Sequence, residues 1–178
     1  MLKKVISGGQ TGVDQAALRA ARYLDISTGG WGPHNWMTEY GENKNLLSSF
    51  GLRADRFDPS TYKVRTESNI DAADGTLILT WGLSSPGTNL SKSLCKKHKT
   101  HYLVMDNIHS GVAVYEVVQW IKNHDIRILN VAGPRESKIG KIPKEQTVNF
   151  LIKVFKALKN DNNFLFNLFV VYLHLKNI

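Results

Sequence analysis

Cysteine is almost missing from this chain: Cys95 is the single thiol in 178 residues. No internal disulfide can form, and a reducing, cytoplasmic setting is expected. There is no C-x-x-C, and His98 and His101 stand near Cys95 without a zinc spacing, so the common metal sites have no support. Long apolar runs are also scarce. The most apolar stretch, Phe164 to Leu175, is interrupted by Asn167 and His174. It falls short of the roughly twenty residues that span a bilayer. It is expected to form an apolar extension, residues 159–178, packed on the body or on another subunit. The first residues offer only Val5-Ile6 behind two lysines, so no secretory leader is expected. Familiar catalytic signatures are lacking too. No G-x-S-x-G elbow and no pair of carboxylates placed for acid–base hydrolysis is present.

Acid is in short supply as well. The formal charge is +8, which suggests anionic partners, either nucleic acid or phosphate-bearing small molecules. Half of the excess lies between Lys141 and Ile178, where a charged helix face serves solvation. The basic run "KSLCKKHKTH", Lys92 to His101, holds four lysines and no acid. It reads as a helix end answering its own dipole. Neither lysine-rich face interleaves aromatics with its lysines, so a nucleic-acid surface is not expected.

What the chain does have is a regular alternation. Short apolar runs at Lys3–Ser7, Asp25–Trp31, Gly75–Thr80, Tyr102–Met105 and Arg127–Ala132 read as strands. Segments of helical period at Val13–Tyr23, Arg65–Ala73, Asn89–His98, Val112–Asn123 and Pro143–Leu158 lie between and after them. Pro33 to Tyr62 shows no clear period and reads as a long functional loop. Alternation of this kind predicts an α/β, doubly wound, Rossmann-like three-layer sandwich with a mainly parallel sheet. Residues 1–158 form its single domain.

In such folds ligands sit beyond the carboxyl ends of the strands. Four of those ends carry glycine-rich or polar loops: "SGGQTGVD" from Ser7, "GGWGPHNW" from Gly29, "WGLSSPGT" from Trp81 and "NVAGPRES" from Asn130. Glycines let a backbone turn sharply and bare its amides, and a following helix adds the positive end of its dipole. Together they make an anion seat. Gly8-Gly9-Gln10-Thr11-Gly12 lacks the G-x-G-x-x-G spacing of dinucleotide folds. Gly82 to Thr88 has the outline of a phosphate loop, but Thr88 stands where its lysine belongs, which argues against ATP hydrolysis. Ser84, Ser85, Gly87 and Thr88 would still suit one oxyanion at a helix start. Arg65 is open to either an anion or a surface pair with Glu67 or Asp71. Arg135, after Gly133-Pro134, aims into the crevice. Asp14 reads as a helix-start acid, and Trp31 and Trp36 could stack on a ring or cover the loop.

Five stretches, "ISGGQTGVDQAAL", "GGW", "RTESNIDAADGTLIL", "GTNL" and "LNVAGPRES", resemble the molybdenum cofactor carrier protein family over about Lys3 to Leu158. That family is a circularly permuted branch of a Rossmann-like superfamily, which also includes the phosphoribohydrolases once labelled lysine decarboxylases. The resemblance implies homo-oligomers, dimeric or tetrameric. It also implies a pocket for an anionic pterin phosphate, the molybdenum cofactor (molybdopterin), or another phosphorylated nucleotide-like ligand. Carried over, the binding residues are Gly8, Gly9, Gln10, Thr11 and Gly12, then Gly29, Gly30 and Trp31, then Arg65, Thr66 and Asn69. Ser85, Gly87 and Thr88 supply the phosphate turn, and Asn130, Gly133, Pro134, Arg135, Glu136 and Ser137 the last loop. After "GGW" the family shows Cys-Pro and then basic residues. Here Gly32-Pro33-His34-Asn35-Trp36-Met37 removes those cations. The related hydrolases carry P-G-G-x-G-T-x-x-E, and Ser91 occupies the place of that Glu. A hydroxyl cannot do a carboxylate's proton work near neutral pH. The resemblance therefore favours a binding protein over the alternative, a nucleotide 5'-monophosphate hydrolase.

Overall fold

Residues 1–54 and 62–160 are described in a computed structural model; the apolar stretch Phe164 to Leu175 lies outside them. Eight strands form: β1 (Lys4–Ile6), β2 (Ser27–Gly32), β3 (Met37–Thr38), β4 (Gly41–Glu42), β5 (Leu52–Ala54), β6 (Gly75–Leu79), β7 (His101–Met105) and β8 (Ile128–Ala132). The helices are α1 (Val13–Tyr23), α2 (Lys44–Ser49), α3 (Tyr62–Asp71), α4 (Pro86–His98), α5 (Gly111–Asn123), α6 (Glu136–Ile139) and α7 (Lys141–Lys159).

Six strands make one sheet in the order β5-β2-β1-β8-β6-β7, with parallel pairing throughout. β6 is buried along its whole length, as expected of a strand covered by helices on both faces. The largest core cluster joins Val5, Leu77, Leu79, Leu129 and Val131 of the sheet to α1, α5 and α7. Ile70, Leu94 and Cys95 of α3 and α4 form a separate, smaller core. The chain leaves β1 for β2 and β5 on one side, and its last strand, β8, slots in between β1 and β6. Strand order reverses there, which puts the carboxyl ends of β1, β8 and β6 around one crevice.

The region from Pro33 to Tyr62 is richer in structure than its sequence implies. It holds the β3–β4 hairpin, the six-residue α2 and the edge strand β5. These elements are too short for periodicity to reveal. Leu47 and Phe50 instead bury against Leu18 and Leu52. α4 begins three residues earlier than expected, because the Ser85 side chain caps it by accepting the Thr88 N–H at 3.2 Å, with Pro86 in the first turn. α3 likewise starts at Tyr62 rather than Arg65. Among the described residues no helix is long and apolar enough to cross a membrane.

Two loops meet backbone to backbone beneath the crevice. Gly12 has φ 75°, and a Cβ there would lie 2.5 Å from the Pro134 carbonyl oxygen and 2.6 Å from the Glu136 nitrogen. The Val13 N–H donates to that same Pro134 oxygen at 3.3 Å. Gly12→Ala should combine backbone strain with overpacking and cost about 2–4 kcal/mol. Urea unfolding of the variant checks this, and an unchanged midpoint would contradict it.

Candidate functional site

The crevice closes down to a cavity of about 40 Å³. That is room for about three waters, or one oxyanion, and not for a ring system. Ten residues expected from the sequence line it: Gly8, Gln10, Arg65, Thr66, Asn69, Gly87, Thr88, Asn130, Gly133 and Arg135. They come from the ends of β1 and β8, from α3 and from the start of α4. Asp14, Tyr62 and Ser91 also line it, which the sequence reading did not assign to the wall.

Arg65 decides the character of the site. It is 6 % exposed, so the alternative of a surface pair with Glu67 or Asp71 does not hold. Those two acids hold His98 between them at 2.5 and 2.9 Å, and Glu67 also takes Lys97 at 2.9 Å. The Arg65 Nη1 donates to the Gly8 carbonyl oxygen at 3.1 Å, and its guanidinium lies 4.7 Å from the centre of the Tyr62 ring. Its Nε is buried and finds no hydrogen-bond partner among the described residues, and buried donors of this kind are usually satisfied by protein, water or an ion. Facing it is Asp14, 8 % exposed, whose Oδ2 accepts the Gln10 N–H at 3.2 Å. At the third wall the Ser91 hydroxyl donates to the Gly87 carbonyl oxygen at 3.1 Å.

The remaining expected residues stand outside this cavity. Gly9 packs toward Leu52 and Leu47, and Gly30, at φ 121°, passes close to Ser7 and to Asn69. Gly29 is paired with Ile6 in the sheet. Trp31 is held by its backbone: Asn69 accepts its N–H at 2.9 Å and donates to its carbonyl at 3.0 Å. Pro134 meets Gly12, and Ser85 caps α4. Thr11, Glu136 and Ser137 gather instead around Glu39, a hairpin residue the sequence reading passed over. The Thr11 and Ser137 hydroxyls both donate to its carboxylate, and the Ser137 N–H does so at 3.1 Å. Gln10 clamps the same hairpin, donating to the Met37 carbonyl at 3.2 Å and accepting the Glu39 N–H at 3.3 Å. Beyond the hairpin, Glu136 is bound to Lys144 at 2.6 Å beside a second hollow of about 320 Å³.

Residues 5–155 match the circularly permutated YpsA SLOG family. The chain belongs to that family. A solved relative is the "putative molybdenum carrier protein" of Syntrophus aciditrophicus SB, 34 % identical, with a TM-score of 0.74 over 86 % of this chain and 94 % of that one. No match was found among curated proteins.

In this SLOG chain the two acids near the crevice behave oppositely. Burial pushes the Asp14 carboxyl up to about 6, against the pull of Arg65, the Gln10 N–H, Ser7 and Arg135. Burial acts to raise Glu39 too, but the Ser137 and Thr11 hydroxyls, the Ser137 N–H and Arg135 outweigh it and hold Glu39 below its usual value. Glu39 is thus a firm anion, whereas Asp14 exchanges its proton near neutrality.

The Asp14 shift fixes a sign for stability. Its folded pKa, about 6, lies above the ordinary aspartate value of 3.8, so between those limits the native state binds more protons than the unfolded chain. Its contribution to stability therefore falls as pH rises through that window, by an amount on the order of 3 kcal/mol at most. Asp14→Asn should gain on the native protein as pH goes from 4 to 7 and hold that gain above. Urea titrations of both proteins across this range measure the difference; parallel pH profiles would refute it.

Proposed function

We propose that this chain is a binding or carrier protein for an anionic pterin phosphate of the molybdenum-cofactor type, or for a closely similar phosphorylated nucleotide-like molecule. The observation that carries the reading is Arg65. A buried guanidinium with an unpartnered Nε lines a cavity the size of one oxyanion, with Gly87 and Thr88 at the start of α4 across from it. The donor chemistry fits a phosphate group. Arg65, Thr88 and Arg135 would hold that group, and the ring system would extend outside the cavity. The name carried by the Syntrophus relative supports molybdenum cofactor as the cargo. The family resemblance read in the sequence motifs implies a homo-oligomer of two or four subunits. Native mass spectrometry of the purified protein reads that number and any retained small molecule together.

A second reading, hydrolysis of a nucleoside monophosphate, has Asp14 in its favour, because a carboxyl that titrates near the working pH suits proton transfer. Against it, the position of the expected Glu is Ser91, whose hydroxyl is tied to its own helix. Incubation with a panel of monophosphates should release free base far below the roughly one turnover per second of ordinary enzymes. Release at that rate would make hydrolysis the function.

The carrier reading is tested by comparing Arg65→Lys with Lys97→Ala in calorimetric titrations with inorganic phosphate. Lysine keeps the charge and loses the fork of donors, so phosphate should bind at least about tenfold more weakly. Lys97 is 64 % exposed and paired with Glu67, and its removal should change affinity by about twofold or less. Equal losses would mean that the anion rides on general positive charge.

A further inference from the structure

We propose that Asp14 makes this cleft select an oxyanion that brings its own proton, the hydrogen-phosphate form of phosphate or of a phosphate monoester. Fully ionised oxyanions of the same shape, such as sulfate and molybdate, are rejected. The inference rests on the binding reading above and adds the ligand class.

The argument begins with space. The cavity holds one oxyanion-sized group, so an anion seated against Arg65 is also seated against Asp14. The two side chains flank Gly8 so closely that a Cβ there would lie 2.8 Å from Asp14 Oδ2 and 3.6 Å from the Arg65 guanidinium. Water cannot screen the pair, since both residues are more than nine-tenths buried. An ionised carboxylate and an ionised oxyanion oxygen cannot share such a site without a proton between them, for the reason that two adjacent carboxylates cannot both ionise. With a proton, the same contact becomes a short O–H···O⁻ hydrogen bond, among the strong ones.

Charge counting agrees. The groups facing Asp14 are Arg65 from α3 and Arg135 after β8. Arg135 also faces Glu39 of the hairpin. Two cations and two carboxylates leave no net charge to hold a dianion that brings no proton to share with Asp14. A phosphate monoester carries its second proton up to a pH of about 6, so it enters with the proton that Asp14 needs. Its other oxygens remain for the Arg65 fork and Thr88. Sulfate and molybdate are bare dianions near neutrality. For them Asp14 must first take a proton from solution, which grows costlier as pH rises. Molybdenum would therefore reach this cleft on a molecule with a phosphate tail, and not as free molybdate.

Calorimetry with inorganic phosphate, sulfate and molybdate at pH 7 tests the claim. The native protein should bind phosphate on the order of tenfold more tightly than either competitor, and Asp14→Asn should close the gap to about twofold by improving the competitors. A readout on the native protein alone is the pH dependence of sulfate, which does not itself titrate in this range. Its affinity should rise by about tenfold from pH 7.5 to 5.5 as Asp14 takes up a proton. Equal affinities for phosphate and sulfate in the native protein, a preference that survives in Asp14→Asn, or a flat sulfate profile would each overturn the inference and leave the carrier reading standing. Binding of none of the three anions would overturn the carrier reading, and this inference with it.

Discussion

A residue with no side chain lets two charges meet. Gly8 sits between Arg65 and Asp14, and any Cβ at that position would strike the Asp14 carboxylate. The hydrogen bond from Arg65 to the Gly8 carbonyl ties α3 to the loop after β1. The Asn69 amide, one turn further along α3, ties the helix to Trp31 near the end of β2. Taking a guanidinium and a carboxylate out of water costs several kcal/mol for each, and mutual attraction returns that only in good geometry. Here the return is incomplete: Asp14 stays above its usual pKa and Arg65 keeps an unpartnered nitrogen. Among the described residues the pair is therefore left short of full compensation.

The β3–β4 hairpin gives the second half of the electrostatic picture. Glu39 takes the hydroxyls of Thr11 and Ser137 and one backbone N–H, the same kinds of donor that a phosphate would ask for. Residues that the family resemblance assigns to a ligand are thus engaged by the chain's own carboxylate. Gln10 belongs to both neighbourhoods, lining the cavity with its residue and clamping the hairpin with both ends of its amide. The space is consequently narrower than four glycine-rich loops would suggest, and it lies between the ends of β1 and β8, α3 and the start of α4. The end of β2 serves it indirectly, through the bonds between Asn69 and the Trp31 backbone.

Membership of the circularly permutated YpsA SLOG family covers almost the whole described chain, and the Syntrophus relative shares its fold over most of both lengths. At the position where the resemblance to the hydrolases expects a glutamate, this chain has Ser91. Ser91 points its hydroxyl back to Gly87 inside α4, while the carboxyl that does reach the cavity comes from α1. An acid delivered from another element meets a ligand from another side, so its presence does not restore the missing glutamate.

Strand and helix alternation and the glycines of the loops were legible in the sequence, because each follows from neighbours a few residues apart. The same is true of the family motifs. The short elements between Pro33 and Tyr62 were not, since α2 and β5 owe their existence to Leu18 on a distant helix. Nor were the electrical properties of the site. Asp14 reads as an ordinary helix-start acid until β8 and α3 close over it. Arg65 reaches Gly8 across 57 positions, and Glu39 reaches Ser137 across 98. Desolvation and Coulomb attraction depend on distance through space and on the water that remains there. Spacing along a chain records neither, so only the tertiary structure could decide which acid is a fixed anion and which one holds a proton.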